Sequence, residues 1–254
     1  MASAVKLKWE LYLMEAFGLS IFMVSACFFS AILEAKNSYI HVAIPNDFIR
    51  LVIMGILMGS TALIIFYSPW TSPSGSQINP AVTLSFLRLG TISKQDAFFY
   101  IVFQFVGGTV TVYIMRALMG VMLTAPPVNS AVTVPGKDIS IVTAGLTEFL
   151  IAFCMILMIL FTSANNKLKK YTRLIAGSFV CMYVIIAGPI SGFGMNPART
   201  FASALPANIW TAFWIYLTAP IAGMLLATEF FIYYTNHKVH LDNITMYKQR
   251  AVKK

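Results

Sequence analysis

Long runs of apolar residues alternate along the chain with short polar or basic stretches. Six runs read as helices of the kind that cross a bilayer core, which takes about 20 residues: 11–33, 49–67, 96–123, 139–161, 174–188 and 209–234. Two further segments, 80–87 and 197–204, are too short to cross, and each opens at Asn-Pro-Ala. Proline suits the first position of a helix, because its missing N–H would have no partner there. Both segments therefore predict half-helices. The short charged start leads directly into a run too long for the apolar core of a cleavable signal, so none is expected.

The pattern repeats. The first half carries Glu15 in its first helix and then Ser-Gly-Ser-Gln-Ile-Asn-Pro-Ala-Val-Thr at 74–83. The second carries Glu148 in its first helix and then Ser-Gly-Phe-Gly-Met-Asn-Pro-Ala-Arg-Thr at 191–200. The flanks Met-Glu-Ala-Phe at 14–17 and Thr-Glu-Phe-Leu at 147–150 also correspond. With three spans in each half, the halves enter the membrane in opposite orientation. The expected division is a first repeat over about 9–123, a second over about 139–234, and a tail at 235–254, all in one channel domain. Inverted repeats of this kind place a site near the midplane, where discontinuous helices from the two halves meet.

Composition narrows the class. Of 254 residues, 58% are apolar and 11% charged, against roughly 45–50% and 25% in soluble domains. A soluble fold, a disordered chain and a separate soluble domain are all excluded. The net charge of +9 reports topology and contact with anionic lipid, not nucleic acid. On the six-span topology, Lys6, Lys8, Arg88, Lys94, Lys167, Lys169, Lys170, Arg173, Lys238, Lys248, Arg250, Lys253 and Lys254 share one side. Lys36, Arg50, Arg116, Lys137 and Arg199 take the other. The positive-inside rule then makes both termini cytoplasmic and puts loop 125–138 outside. Cys27, Cys154 and Cys181 sit in apolar runs and read as packed small hydrophobes, with no disulfide framework.

The repeated motif has a physical reading. Non-helical backbone at membrane depth must be buried or line a wet cavity. The stretches before each Asn-Pro-Ala would present carbonyls as a ladder of acceptors along a pore. The half-helices would point their positive N-terminal ends at one another. Asn79 and Asn196 would cap them, leaving each NH2 free to donate into the pore. Such an arrangement repels cations and breaks a single-file proton wire.

At this point the chain resembles the aquaporin (major intrinsic protein) family, from about residue 11 to 234. The resemblance rests on Asn79-Pro80-Ala81, Asn196-Pro197-Ala198-Arg199, Glu15, Glu148 and Gln104-Phe-Val-Gly-Gly108. It implies an all-α membrane fold of six helices and two re-entrant half-helices. It also implies assembly as a homotetramer with one pore per subunit, and passive flow of water or small neutral solutes without cofactor, metal or catalysis. The outer selectivity filter would comprise Arg199, Phe193, Val184 and a residue on the second helix, Gly59 or Met58. Glu15 and Glu148 would hold the re-entrant loops.

The solute signal is mixed. Val184 stands where strict water channels usually carry His, and Phe193 matches glycerol facilitators. Thr200, Ala204 and Phe213-Trp214 match water channels instead. Gln77 stands where many relatives have His, which removes pH gating through that side chain. The leading expectation is a water channel of a cell membrane, plasma or bacterial inner, that also passes small neutral solutes. A glycerol or urea facilitator is the alternative. An ion-coupled transporter would need acids beyond the two assigned to loops, and a closed junction protein would need a long adhesive outer loop.

Overall fold

The computed structural model describes the backbone of residues 7–252 and the side chains of residues 7–237. Ten α-helices follow one another: α1 (Trp9–Glu34), α2 (Tyr39–Ala43), α3 (Asp47–Tyr67), α4 (Pro80–Arg88), α5 (Lys94–Met119), α6 (Val121–Thr124), α7 (Ile141–Ala164), α8 (Thr172–Ser191), α9 (Pro197–Ala207) and α10 (Phe213–Val252). Six of them, α1, α3, α5, α7, α8 and α10, are long and apolar enough to cross a membrane. The chain is a multi-pass membrane protein. Its outer surface agrees: Leu13, Phe17, Ile56, Leu150 and Phe230 are exposed, as lipid-facing side chains must be.

Capping side chains set several boundaries. Asn46 accepts from the Ile49 N–H, Ser93 from Asp96 and Ser140 from Thr143, each satisfying a donor the first turn leaves over. Ser93 starts α5 two residues before the expected position, and Gly120, with φ +53°, ends it at Met119 rather than 123. α10 begins at Phe213 and runs past 234 to Val252, so the expected tail is mostly continuous helix. The last two basic residues of that tail lie outside the described residues.

The two helix triplets α1–α3–α5 and α7–α8–α10 pack in corresponding pairs. The most extensive contacts are α7 on α10, α3 on α8 and α1 on α5. Two glycines permit the closest crossings. A Cβ on Gly107 of α5 would lie 2.6 Å from the Ala16 carbonyl oxygen, and one on Gly223 of α10 would lie 2.3 Å from that of Phe149. No side chain fits at either crossing. The half-helices α4 and α9 enter from opposite sides and bring their N-terminal ends together at the middle. Each packs more extensively on the last helix of the other triplet than on that of its own, which locks the halves together.

Candidate pore

The loop before each half-helix is held by one buried carboxylate. Glu15 accepts hydrogen bonds from the Gln77 N–H (3.0 Å), the Ile78 N–H (2.5 Å), Ser74 Oγ (2.6 Å) and Gln104 Nε2 (2.8 Å). Glu148 accepts from the Gly194 N–H (2.8 Å), Ser191 Oγ (2.6 Å) and the Met195 N–H. Tyr100 Oη donates to the Ser74 carbonyl, and Tyr216 Oη does the same to Ser191. These contacts hold backbone in an unfavourable shape. Ser76, Ile78, Phe193 and Met195 all have φ between +43° and +50°, rarely adopted by side-chain-bearing residues and least by β-branched ones such as Ile78.

Asn79 and Asn196 cap the half-helices, accepting from Ala81 and from Ala198 and Arg199 respectively. Both line the near cavity, but their amide nitrogens are not wholly free, as the sequence alone would leave them. Asn79 Nδ2 donates to the Met195 carbonyl (2.9 Å), and Asn196 Nδ2 to the Ile78 carbonyl (2.7 Å). Each asparagine thus stitches its half-helix to the loop of the other repeat and keeps one N–H in reserve. The reason is proximity: once the half-helix ends meet, the opposite loop carbonyl is the nearest acceptor.

Two cavities lie on opposite sides of the molecule's core, and the near one reaches this junction. The near one, on the side of the termini, holds about 310 Å³ and is lined by residues including Ser76, Gln77, Asn79, Asn196, Val82, Phe86, Lys169 and Arg173. The far one holds about 250 Å³ and is lined by residues including Ser30, Glu34, Met54, Met58, Val184, Phe193 and Arg199.

Residues 2–233 match the major intrinsic protein family model. The chain belongs to the aquaporin family. Its members are channels and not enzymes. It is 31% identical over 174 residues to Arabidopsis thaliana aquaporin NIP1-2, covering 67% of this chain and 58% of that protein. It is 30% identical over 176 residues to the probable aquaporin TIP4-1 of Oryza sativa subsp. japonica, covering 67% and 68%. The chain spans between about half and two thirds of the length of the curated relatives it matches. In fold it is similar to the X-ray structure of the aquaglyceroporin from Plasmodium falciparum, with a TM-score of 0.71 at 17% identity over 88% of this chain and 95% of that one.

In this aquaporin, four side chains considered for an outer filter, Arg199, Phe193, Val184 and Met58, line the far cavity together. Gly59 does not join them. A Cβ there would meet Cys181 Cβ at 2.7 Å and the Gly177 carbonyl at 3.0 Å, so Gly59 faces α8 as a packing residue. Arg199 forms no ion pair among the described residues. Its Nη1 donates to the Ala131 carbonyl (2.9 Å) and Thr133 Oγ1 (2.8 Å), which aims the rest of the guanidinium into the cavity. The 125–138 loop, read in sequence only as a connection, therefore supports a cavity-lining cation. Nothing in its composition signals that role. Phe22, which lines both cavities, was not singled out from the sequence either, although its place seven residues after Glu15 puts it on the same face of α1.

Proposed function

We propose that this aquaporin is a passive channel for water that also admits small uncharged solutes such as glycerol, and that it excludes ions and protons. One observation carries the reading: two cavities on opposite sides of the molecule adjoin at Phe22 and Phe193, and the near one reaches the two half-helix N-termini at Asn79 and Asn196. Positive dipole ends at that point favour oxygen-first passage and disfavour cations. Arg199 adds a fixed positive charge on the far side.

Met58, Val184 and Phe193 give the far cavity a largely apolar wall opposite the Arg199 donors. Carbon faces and hydroxyls of a polyol fit that pairing, which supports the second reading, a glycerol- or urea-type facilitator. Met58 is bulkier than the glycine at the neighbouring position, so water is the favoured permeant. The basic residues gathered on the side of the termini support a cytoplasmic placement of both ends in a cell membrane rich in anionic lipid. The resemblance to the family supports a homotetramer with a pore in each subunit.

Stopped-flow light scattering of proteoliposomes, under gradients of an impermeant sugar and of glycerol, tests this. Wild type is expected to pass water fast and glycerol measurably. Val184→His should lower glycerol flow at least about threefold more than water flow, by adding bulk and a donor to the wall. Water flow no faster than through protein-free vesicles would refute the channel reading.

A further inference from the structure

The far and near cavities share two lining residues, Phe22 and Phe193. Phe22 is on α1 and Phe193 is on the second re-entrant loop, so one ring comes from each repeat. Phe22 also packs against both main hydrophobic clusters of the core, at their junction. No polar side chain lines both cavities. Arg199 lines the far cavity alone, and Asn79 and Asn196 line the near one alone.

α1 shows how the aromatic came to be there. Phe22, Ala26, Ser30 and Glu34 all line the far cavity, and their four-residue spacing puts them in one stripe. Going inward from the mouth, the stripe passes from a carboxylate to a hydroxyl, then a methyl group, then a phenyl ring. Glu34 is held at the mouth by Arg50, with Nη2 to Oε2 at 3.2 Å.

We infer that Phe22 is a specificity-determining residue of the pore, forming with Phe193 an apolar waist that sizes permeants below the Arg199 ring and favours neutral molecules with a carbon face. The inference rests on the channel reading above. A molecule crossing from Arg199 to the asparagines must leave one polar side chain before reaching the next, with only the loop backbone beside it between the two rings. A single water does so at small cost, because it is short. A polyol does so only if its carbons can slide along the rings, and a longer or branched one meets both rings at once. The waist therefore acts on solute length and shape, whereas Arg199 acts on charge.

The test uses full-length protein in proteoliposomes, with water, glycerol and a four-carbon polyol as probes. Phe22→Ala should raise the polyol-to-water permeability ratio at least about fivefold, with the larger polyol gaining most. Phe22→Trp should lower polyol flow more than water flow. Proton leak should stay at the wild-type level in both, because Arg199 and the half-helix ends are untouched. A purely structural role would lower all flows together and leave the ratio unchanged. If Phe22→Ala fails to reconstitute, Phe22→Trp carries the test by the same ratio. Unchanged ratios in variants that still conduct water overturn the inference while leaving the channel reading intact. A wild type that passes neither water nor polyol overturns the channel reading itself.

Discussion

The two re-entrant loops share a skeleton and differ in what they carry. Ser74, Gly75, Asn79, Pro80, Ala81 and Thr83 in the first correspond to Ser191, Gly192, Asn196, Pro197, Ala198 and Thr200 in the second. Each set is clamped by one glutamate and one tyrosine from its own repeat. Between those shared positions, Ser76, Gln77 and Val82 in the first loop stand against Phe193, Gly194 and Arg199 in the second. Val82 lines the near cavity and Arg199 the far one. The residues that build the bend are duplicated, because each half must solve the same backbone problem in the same low-dielectric setting. The residues that line the cavities are not duplicated: at one matching position the near cavity has Val82 and the far one Arg199.

The largest effect should come from the clamps. Glu15→Leu breaks four hydrogen bonds: it orphans the buried Gln77 and Ile78 N–H groups and leaves Ser74 Oγ only the Thr71 carbonyl and Gln104 Nε2 only Thr83 Oγ1. An orphaned buried donor costs about 1–3 kcal/mol, so this variant should not assemble as a stable channel. Glu148→Leu breaks three hydrogen bonds rather than four, leaving Ser191 Oγ the Ala187 carbonyl, and should melt less far below wild type. Thermal unfolding in detergent, followed by size-exclusion, checks the order. If Glu148→Leu is the more damaging, donor count is not what sets the depth of the clamp.

These clamps were legible in the sequence because duplication marked them. Two glutamates, two Ser-Gly pairs and two Asn-Pro-Ala motifs at matching places left little freedom for where the loops could dock. The all-helical fold followed from apolar run length for the same reason: run length is a local property. What was not legible depends on how the halves meet. The asparagine amides reach across to the other repeat's carbonyls, and a reading of either half alone leaves them free. That Met58 rather than Gly59 lines the far cavity depends on how α3 packs against α8, where a Cβ on Gly59 would meet Cys181. The support of Arg199 by Ala131 and Thr133 joins residues in a loop of no special composition to a site far along the chain.

Next in size is a difference between two glycines that share a role. Gly75 and Gly192 both have left-handed backbone, with φ +93° and +78°. A Cβ on Gly75 would touch only Gln77 atoms at 3.8 Å, whereas one on Gly192 would meet the Val134 carbonyl oxygen at 2.8 Å. Gly75→Ala should cost roughly 1 kcal/mol, the left-handed penalty alone. Gly192→Ala should add roughly 1–3 kcal/mol of overpacking against backbone. Equal melting shifts would mean that the 125–138 loop yields freely, and that Arg199 is less firmly held than its hydrogen bonds suggest.

Arg199→Val gives the second half-helix the residue the first already has at Val82. The fold should survive, because the Ala131 carbonyl and Thr133 hydroxyl reach the cavity once the guanidinium is gone. Loss of the fixed charge should raise cation or proton leak by about tenfold, equivalent to about 1.4 kcal/mol of barrier. A pH-sensitive dye trapped in proteoliposomes reads this directly. A tight Arg199→Val channel would assign exclusion wholly to the facing half-helix ends, and the two loops would then be more alike in function than in sequence.

The smallest effect belongs to an ion pair made by one half-helix and not by the other. Arg88, at the end of α4, pairs through Nε and Nη2 with both carboxylate oxygens of Glu229 on α10, the second contact at 2.8 Å. Leu205 occupies the corresponding place on α9. The side chains of Arg88 and Glu229 are 50% and 48% exposed, so water competes for both charges and salt screens them. A pair of this kind contributes about 0.5 kcal/mol. Arg88→Met should therefore lower the melting midpoint of the detergent-solubilised protein by roughly 1–2 °C, and the difference should fade as salt is raised. Leu205→Ala should lose stability by a comparable or larger amount with no salt dependence, since it removes apolar contact and no charge. If instead Arg88→Met lowers the midpoint by several degrees at high salt, the arginine's contribution is the packing of its long stem between α4 and α10. The two half-helix ends would then be held by the same kind of force after all.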